Sequence, residues 1–258
     1  MLASTSARFP KKSRDCNRLN CTVAWFQEWF GEEYLELYSY RDSTEAKQQV
    51  AFFCSRFGNL RGPVLDLASG TGRHVSELQA SGYRAVGCDL SFILLQNGRT
   101  EYGPMPLVRA DMRSLPFCSG SFAGLVSFFT SFGYFSAEEE NAQVVSEMSR
   151  VMRDGAVFLF DYLNVAHELQ RLTDREHRAT PTGDVTIERW YDASDRSFNK
   201  RITIGQKRYL ERVRGYDLGE ITAMFTASGL AIEDAFGDFD GSKYRRSSPR
   251  LILAGRKR

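Results

Sequence analysis

The chain has 258 residues, with 34 Lys+Arg against 32 Asp+Glu and a formal net charge of +2. Apolar residues make up 42% and charged residues 26%, which excludes a disordered chain, a collagen-like chain and a disulfide-rich mini-protein. The near-neutral charge also argues against a dedicated nucleic-acid binder, and no apolar run approaches the roughly 18 residues of a membrane helix.

The first segment, MLASTSARFPKKSR, carries Arg8, Lys11, Lys12 and Arg14 with no acid. It has no apolar h-region, so it does not read as a secretory signal. Residues 1–21 read as a solvated basic tail, with a transit peptide as the alternative. The five cysteines, Cys16, Cys21, Cys54, Cys88 and Cys118, are odd in number and irregularly spaced. No zinc or other metal site is expected from them, and they read as reduced thiols in a cytoplasmic protein.

Residues 22–258 read as a single domain that opens with a helical cap over 22–58. TVAWFQEWF (Thr22 to Phe30) is apolar at helix-like spacing. STEAKQQVAFFCSRF, from Ser43, predicts an amphipathic helix with an N-capping Ser and an end near Gly58. Then the pattern changes. Strands are predicted at Pro63–Leu67, Tyr83–Asp89, Met105–Ala110, Ala123–Phe128 and Ala156–Asp161, with helices between them. Such alternation implies right-handed crossovers and a doubly wound, mostly parallel α/β sheet. After Tyr162 the alternation stops. Asp184–Tyr191 and Phe198–Gly205 alternate apolar with polar around a DASDR turn, which predicts an antiparallel β-hairpin insertion within 165–216. A helix over Leu218–Ser228 and strands at Leu230–Phe236 and Arg250–Gly255 complete a seven-stranded, Rossmann-like sheet.

The chemistry concentrates in VLDLASGTGRHVSEL followed by YRAVGCDLS. A strand ends at Asp66, a glycine turn follows and a helix begins. Ligands of open α/β sheets bind at the carboxyl ends of such strands. Gly70 and Gly72 allow close approach of the backbone. Asp89, ending the second strand, is placed to accept from ribose hydroxyls. A dinucleotide fingerprint would need a third Gly where Val75 stands. Asp66 would also repel a pyrophosphate but attract an ammonium group. A ligand with a ribose and a cationic amino-acid tail fits these residues, and S-adenosylmethionine is such a ligand.

Asp66-Leu-Ala-Ser-Gly-Thr-Gly72 resembles the first motif of class I S-adenosylmethionine-dependent methyltransferases. Asp89-Leu90 matches their ribose-binding acid, and Ala110-Asp111-Met112 with Leu115-Pro116-Phe117 matches their adenine-binding segment. Val151-Met-Arg-Asp-Gly155 resembles their turn into strand five. The resemblance runs from about Tyr34 to the C-terminus, with Ala68 where many members have Gly. The N-terminal Tyr/Arg segment, the hairpin and GDFDGSKY…SPRLIL are similar to the small-molecule branch, in particular aminosugar N-methyltransferases. It implies Tyr38, Arg41, Asp66, Ala68, Gly70, Gly72, Asp89, Leu90, Asp111, Met112 and Phe128 as cofactor-binding residues. Tyr38, Tyr40 and Arg41 would close over the donor, with Arg41 on its carboxylate. The implied product is S-adenosylhomocysteine.

On the acceptor side the candidates are Tyr134, after strand four, and Asp161 and Tyr162, at the end of strand five. Any of them could hold a polar acceptor or take its proton. The plainer reading has Tyr134 packing and Asp161 capping the next helix. His74 reads as an ordinary helix residue, and His167 and His177 as exposed structural histidines. The hairpin is expected over the strand ends, with Trp190 and Tyr191 as an aromatic wall. The partner expected is a small-molecule acceptor, with no nucleic acid and no membrane, and the protein is a monomer or homodimer. The alternatives are a nucleic-acid or protein methyltransferase, or a non-methylating S-adenosylmethionine-binding domain. Against the first stands SFFTSFGYF after strand four, which has no proline of a base-directed motif.

Overall fold

The computed structural model describes residues 24–39, 43–173, 175–180 and 183–258. Two short helices, α1 (Trp25–Trp29) and α2 (Glu32–Leu37), precede the long α3 (Ser43–Phe57). The α/β alternation follows as β1 (Pro63–Leu67), α4 (Arg73–Ala80), β2 (Arg84–Asp89), α5 (Phe92–Tyr102), β3 (Leu107–Arg109), β4 (Phe122–Ser127), α6 (Glu138–Val151) and β5 (Met152–Leu163). The chain continues through α7 (Val165–Arg171), β6 (Arg175–Thr180), β7 (Gly183–Asp192), β8 (Ser197–Ile204), β9 (Lys207–Arg214), α8 (Leu218–Ala227), β10 (Leu230–Phe236) and β11 (Arg250–Lys257).

The main sheet has seven strands in the order β10-β11-β5-β4-β1-β2-β3. β5, β4, β1, β2 and β3 run parallel, and β11 lies antiparallel to both β5 and β10. Successive strand residues point to opposite faces, so each central strand feeds two cores. Leu65, Leu125, Phe158 and Phe160 pack on the side of α6 and α8. Val64, Val126, Val157 and Leu159 pack on the other side with Val50 and Phe53 of α3 and Val75 and Leu78 of α4.

The strand order reverses beside β1, between its neighbours β4 and β2. Such a switch point opens a crevice at the carboxyl ends. Ser91 ends the β2 turn and caps α5, its Oγ accepting from the Leu94 N–H at 3.1 Å. Close packing brings α5 onto the glycine turn. A Cβ on Gly98 would lie 1.7 Å from the Thr71 carbonyl oxygen, so only Gly fits there.

The predicted hairpin is present as β7 and β8, paired from Val185↔Ile204 to Asp192↔Ser197. It is the centre of a four-stranded antiparallel sheet, β6-β7-β8-β9. Arg, Lys and Glu fill half or more of the positions in the flanking strands, with little apolar alternation, so the sequence pattern did not mark them. A third core joins this sheet to the first helices: Trp29, Leu37 and Tyr38 pack on Val185, Ile187 and Ile202.

Candidate functional site

A cavity of about 390 Å³ opens at the carboxyl ends of β1, β2 and β4. Its floor is the glycine turn 66–71 with Asp89 and Leu90, and its roof is Phe26 of α1 and Phe30 just after it, with Tyr34 and Leu35 of α2. Phe128, Phe129, Ser131, Tyr134 and Phe135, from the segment after β4, form one wall.

The floor carries unusual backbone. Ala68 lies at φ 59° and Gly70 at φ 57°. The first is the position where the family often has Gly, and an L side chain there is strained. Ala68 and Gly70 both line the cavity; Gly72 does not. Gly72 starts α4 at φ 80°, and a Cβ on it would meet Leu107 and Met105 at 3.0 Å. Its requirement for glycine therefore comes from the turn and the packing beneath it, and the expected close approach to a ligand belongs to Gly70.

Asp66 is 1% exposed. Its Oδ2 and the Ser69 Oγ are buried without a hydrogen-bond partner among the described residues. Burial and the neighbouring Asp89 push the Asp66 carboxyl well above its ordinary range, and Arg73 opposes them only in part. Orphaned polar atoms are costly inside a protein; here they border a cavity and suit a donor-bearing, cationic group. At Asp89, Oδ2 accepts from the Gly70 N–H and Oδ1 from the Ser91 N–H, both at 2.8 Å. Burial raises this carboxyl above its ordinary range, while those backbone donors hold the rise down. Each oxygen keeps one lone-pair direction for a further donor.

Ala110, Asp111 and Met112 border the cavity beyond β3, beside Leu90. The Asp111 carboxylate is engaged by its neighbour. Arg113 donates from Nε at 3.1 Å to Oδ1 and from Nη2 at 2.6 Å to Oδ2. Burial alone would raise the Asp111 carboxyl; Arg113 outweighs it and holds the group ionised, below its ordinary range. Arg113 also pairs with Glu140 and lies 4.4 Å over the Phe135 ring.

The roof is an aromatic cluster. Tyr134 lies within ring contact of Trp25 (4.9 Å), Phe30 (5.9 Å) and Phe26 (6.5 Å). Tyr38 lines the cavity from the end of α2. Its hydroxyl accepts from Lys200 Nζ at 2.7 Å, Lys200 pairs with Glu211, and Trp29 Nε1 donates to Glu211 at 2.5 Å. Burial would lower the Lys200 ammonium, but Glu211 and Tyr38 outweigh it and hold it above its ordinary value. Arg41 and Tyr40 lie outside the described residues, as do Cys16 and Cys21.

Two expected acceptor-side residues have other partners. Asp161 and Tyr162 are 0% exposed, and neither lines the cavity. Asp161 accepts from Arg250 through both oxygens, at 2.6 and 2.5 Å, and from the Phe129 N–H at 2.8 Å. Asn164, not Asp161, caps α7. The Tyr162 hydroxyl donates to the Arg214 carbonyl, and burial pushes it far above its ordinary value. A phenol so enclosed does not reach a substrate. Trp190 and Tyr191 also fall away from the cavity: Trp190 lies under Arg201 and Tyr191 against Phe198. The ring wall comes instead from α1 and the segment after β4.

Sequence reasoning passed over Arg73 and His74, which both line the cavity. His74 stacks on Phe128 at 4.2 Å and bonds Gln49 at 2.6 Å. Burial, aided by Arg73, holds its imidazole well below the ordinary value, so it is neutral at pH 7. Helical spacing carried the signal: His74 stands four residues before Leu78, on the buried face of α4.

Residues 64–155 match the family described as Methyltransferase domain. A stretch of 94 residues is 39% identical to the demethylmenaquinone methyltransferase of Corynebacterium kroppenstedtii, covering 36% of this chain and 38% of that protein. The chain thus spans less than half the length of the curated relatives it matches. Among solved structures, an S-adenosylmethionine-dependent methyltransferase from Clostridium acetobutylicum superposes with a TM-score of 0.72 at 18% identity, over 87% of this chain and 96% of that one. The sugar N-methyltransferase KedS8 from Streptoalloteichus superposes with a TM-score of 0.64 at 17% identity, over 100% and 99%. At those identities the likeness establishes the fold.

The fold and the matched segment define the class as far as they reach: residues 64–155 match a methyltransferase domain, and they sit in a Rossmann-like α/β sheet of the fold that solved S-adenosylmethionine-dependent methyltransferases share. The cofactor that goes with this domain is S-adenosylmethionine. The residues present fit it, on the observation that Asp66 and Ser69 offer unpaired buried oxygens beside a carboxylate with room for hydroxyl donors. Among the described residues, no helix is long and apolar enough to cross a membrane, and no His/Cys/Asp/Glu group could hold a metal.

Proposed function

We propose that this protein moves a methyl group from S-adenosylmethionine to a nitrogen or oxygen of a small-molecule acceptor by in-line displacement. The observation that carries the reading is the buried Asp66 carboxyl at the end of β1, whose Oδ2 has no partner, lining the same cavity as Asp89 at the end of β2. Bound there, S-adenosylmethionine supplies a methyl group on a sulfonium, activated because a neutral thioether departs. Asp66 and Ser69 would hold its ammonium, Asp89 its ribose hydroxyls, and Ala110–Met112 with Leu90 its adenine. Gly70 and Ala68 would let the backbone come close.

What remains for the chain is orientation and exclusion of water. Alignment alone can supply about 7–11 kcal/mol of the barrier, so a strong base is dispensable for an acceptor nitrogen that arrives neutral. The aromatic roof serves both ends. Tyr134 is the polar group best placed to orient the acceptor, because its ring is fixed by Trp25, Phe26 and Phe30. A small acceptor also suits the cavity, which is closed by rings and shows no basic lining beyond Arg73 among its described residues.

Two measurements test the reading. Calorimetric titration with S-adenosylhomocysteine should show binding to the wild-type protein. Incubation of metabolite extracts with labelled donor should place label in the low-mass fraction, where mass analysis identifies the product. Label in RNA, DNA or protein, with none at low mass, would overturn it.

A further inference from the structure

The turn after β4 contains two consecutive non-glycine residues in the left-handed region, Phe129 at φ 62° and Thr130 at φ 58°. Such backbone persists only where its surroundings over-determine it. Both N–H groups go to one residue. The Phe129 N–H donates to Asp161 Oδ2 at 2.8 Å, and the Thr130 N–H donates to the Asp161 carbonyl at 3.2 Å. Asp161 is itself pinned by the two parallel bonds from Arg250. Arg250 stands at the start of β11, directly opposite Leu163 of β5. The Phe129 ring lies 5.6 Å from the Arg250 guanidinium and 4.3 Å from that of Arg73. Phe128, Phe129 and Ser131 then form one wall of the cavity.

We propose that Asp161 and Arg250 are a positioning pair: they hold the strained 129–130 turn in the one shape that presents Phe128 and Phe129 to the donor. The pair does not touch the ligand; it acts through the turn. This rests on the donor-site reading above. It explains a buried carboxylate near the end of β5 that does not line the cavity, and it explains why an arginine sits fourteen residues beyond the end of β10, at the start of β11.

The experiment is a double-mutant cycle read by calorimetry with S-adenosylhomocysteine, with thermal unfolding in parallel. Asp161→Asn should weaken binding about tenfold or more. Thr130→Gly adopts the left-handed backbone freely, so in that background Asp161→Asn should weaken binding by no more than about threefold. Coupling of this kind is what residues sharing one strained element show, whereas independent sites add. Arg250→Lys keeps the buried carboxylate neutralised but cannot make the parallel pair. It should fold and bind about three- to tenfold more weakly, which keeps the test decisive if Asp161→Asn does not fold. Unchanged affinity in a folded Arg250→Lys protein, or equal losses in both backgrounds, would overturn the pairing. Absence of binding by the wild-type protein would instead overturn the donor site itself.

Discussion

Asp66→Asn should act on stability and on cofactor binding with opposite signs. The carboxyl is 1% exposed, with one oxygen unpartnered, and its proton affinity is raised by burial and by Asp89. A carboxyl whose folded pKa lies above the unfolded one binds more protons in the folded state. Stability of the ligand-free protein therefore falls as pH rises from the ordinary aspartate value of about 4 towards the raised folded value. An amide has no such proton to lose. The variant should be more stable than the wild type at pH 7 without ligand, and the difference should shrink as pH falls towards 4. The cofactor ammonium reverses the balance, because it supplies the partner that Oδ2 lacks. Losing one charge-assisted hydrogen bond costs about 1.5–3 kcal/mol, or roughly 10- to 150-fold in Kd. Calorimetry with S-adenosylhomocysteine at pH 7, with thermal unfolding from pH 4.5 to 8, measures both. Binding by wild type should also release a proton, seen as buffer-dependent heat. Wild-type affinity in the variant, or a variant less stable than wild type across that range, would refute the assignment of Asp66 to a cationic group.

Asp89→Ala should lower donor affinity by about 2–4 kcal/mol, because it removes a carboxylate that also anchors the Gly70 and Ser91 N–H groups; circular dichroism should confirm the fold. Gly70→Val should abolish binding, since φ there is 57° and the residue lines the cavity; normal affinity in a folded variant would place the cofactor elsewhere. Gly98→Ala should destabilise by about 2–3 kcal/mol or more, because the added methyl would sit 1.7 Å from the Thr71 carbonyl; chemical denaturation measures it. Ala68→Gly should raise stability by about 0.5–1 kcal/mol, since relief of the left-handed strain outweighs the added freedom of the unfolded chain; a lower unfolding midpoint would contradict the φ of 59°.

The cavity floor was legible because its residues are local in sequence. Asp66, Asp89 and Asp111 stand at or just past strand ends and Gly70 in the turn after β1, all four line the cavity, and strand ends follow from apolar runs and glycine. The hairpin was legible through its alternation. What stayed hidden depends on contacts between distant segments. Asp161 meets Arg250 at a separation of 89 residues, and Tyr162 meets the carbonyl of Arg214. A polar residue at a strand end reads as a site in sequence; only its partner shows that it braces a turn. β6 and β9 were hidden for a related reason. Their charges pair across strands, as Arg175 with Glu188 and Glu211 with Lys200, and paired charge leaves no apolar period to read. His74 lay on the right helical face, but a histidine there carries no apolar signature.

The four-stranded sheet joins the cavity by one remove. Its residues are absent from the lining, yet its apolar face, Val185, Ile187 and Ile202, is covered by Trp29, Leu37 and Tyr38. α1 and α2 have 5 and 6 residues, far below the roughly 12–15 at which an isolated helix holds in water. They have helical form because tertiary contacts supply it: α1 lies against β9, and α2 packs on α5 and, through Leu37, on the sheet's apolar face. The Lys200–Glu211 pair adds direction: Glu211 accepts from the Trp29 indole, and Lys200 donates to the Tyr38 hydroxyl. Trp25, Phe26 and Phe30 follow α1, and Tyr134 follows them through ring contact. The aromatic roof of the cavity is thus set by a sheet that does not line it. On the proposed reading, substitutions on that sheet should change acceptor selectivity while the cavity floor, built on β1 and β2, keeps its geometry, so turnover should fall with S-adenosylhomocysteine affinity unchanged.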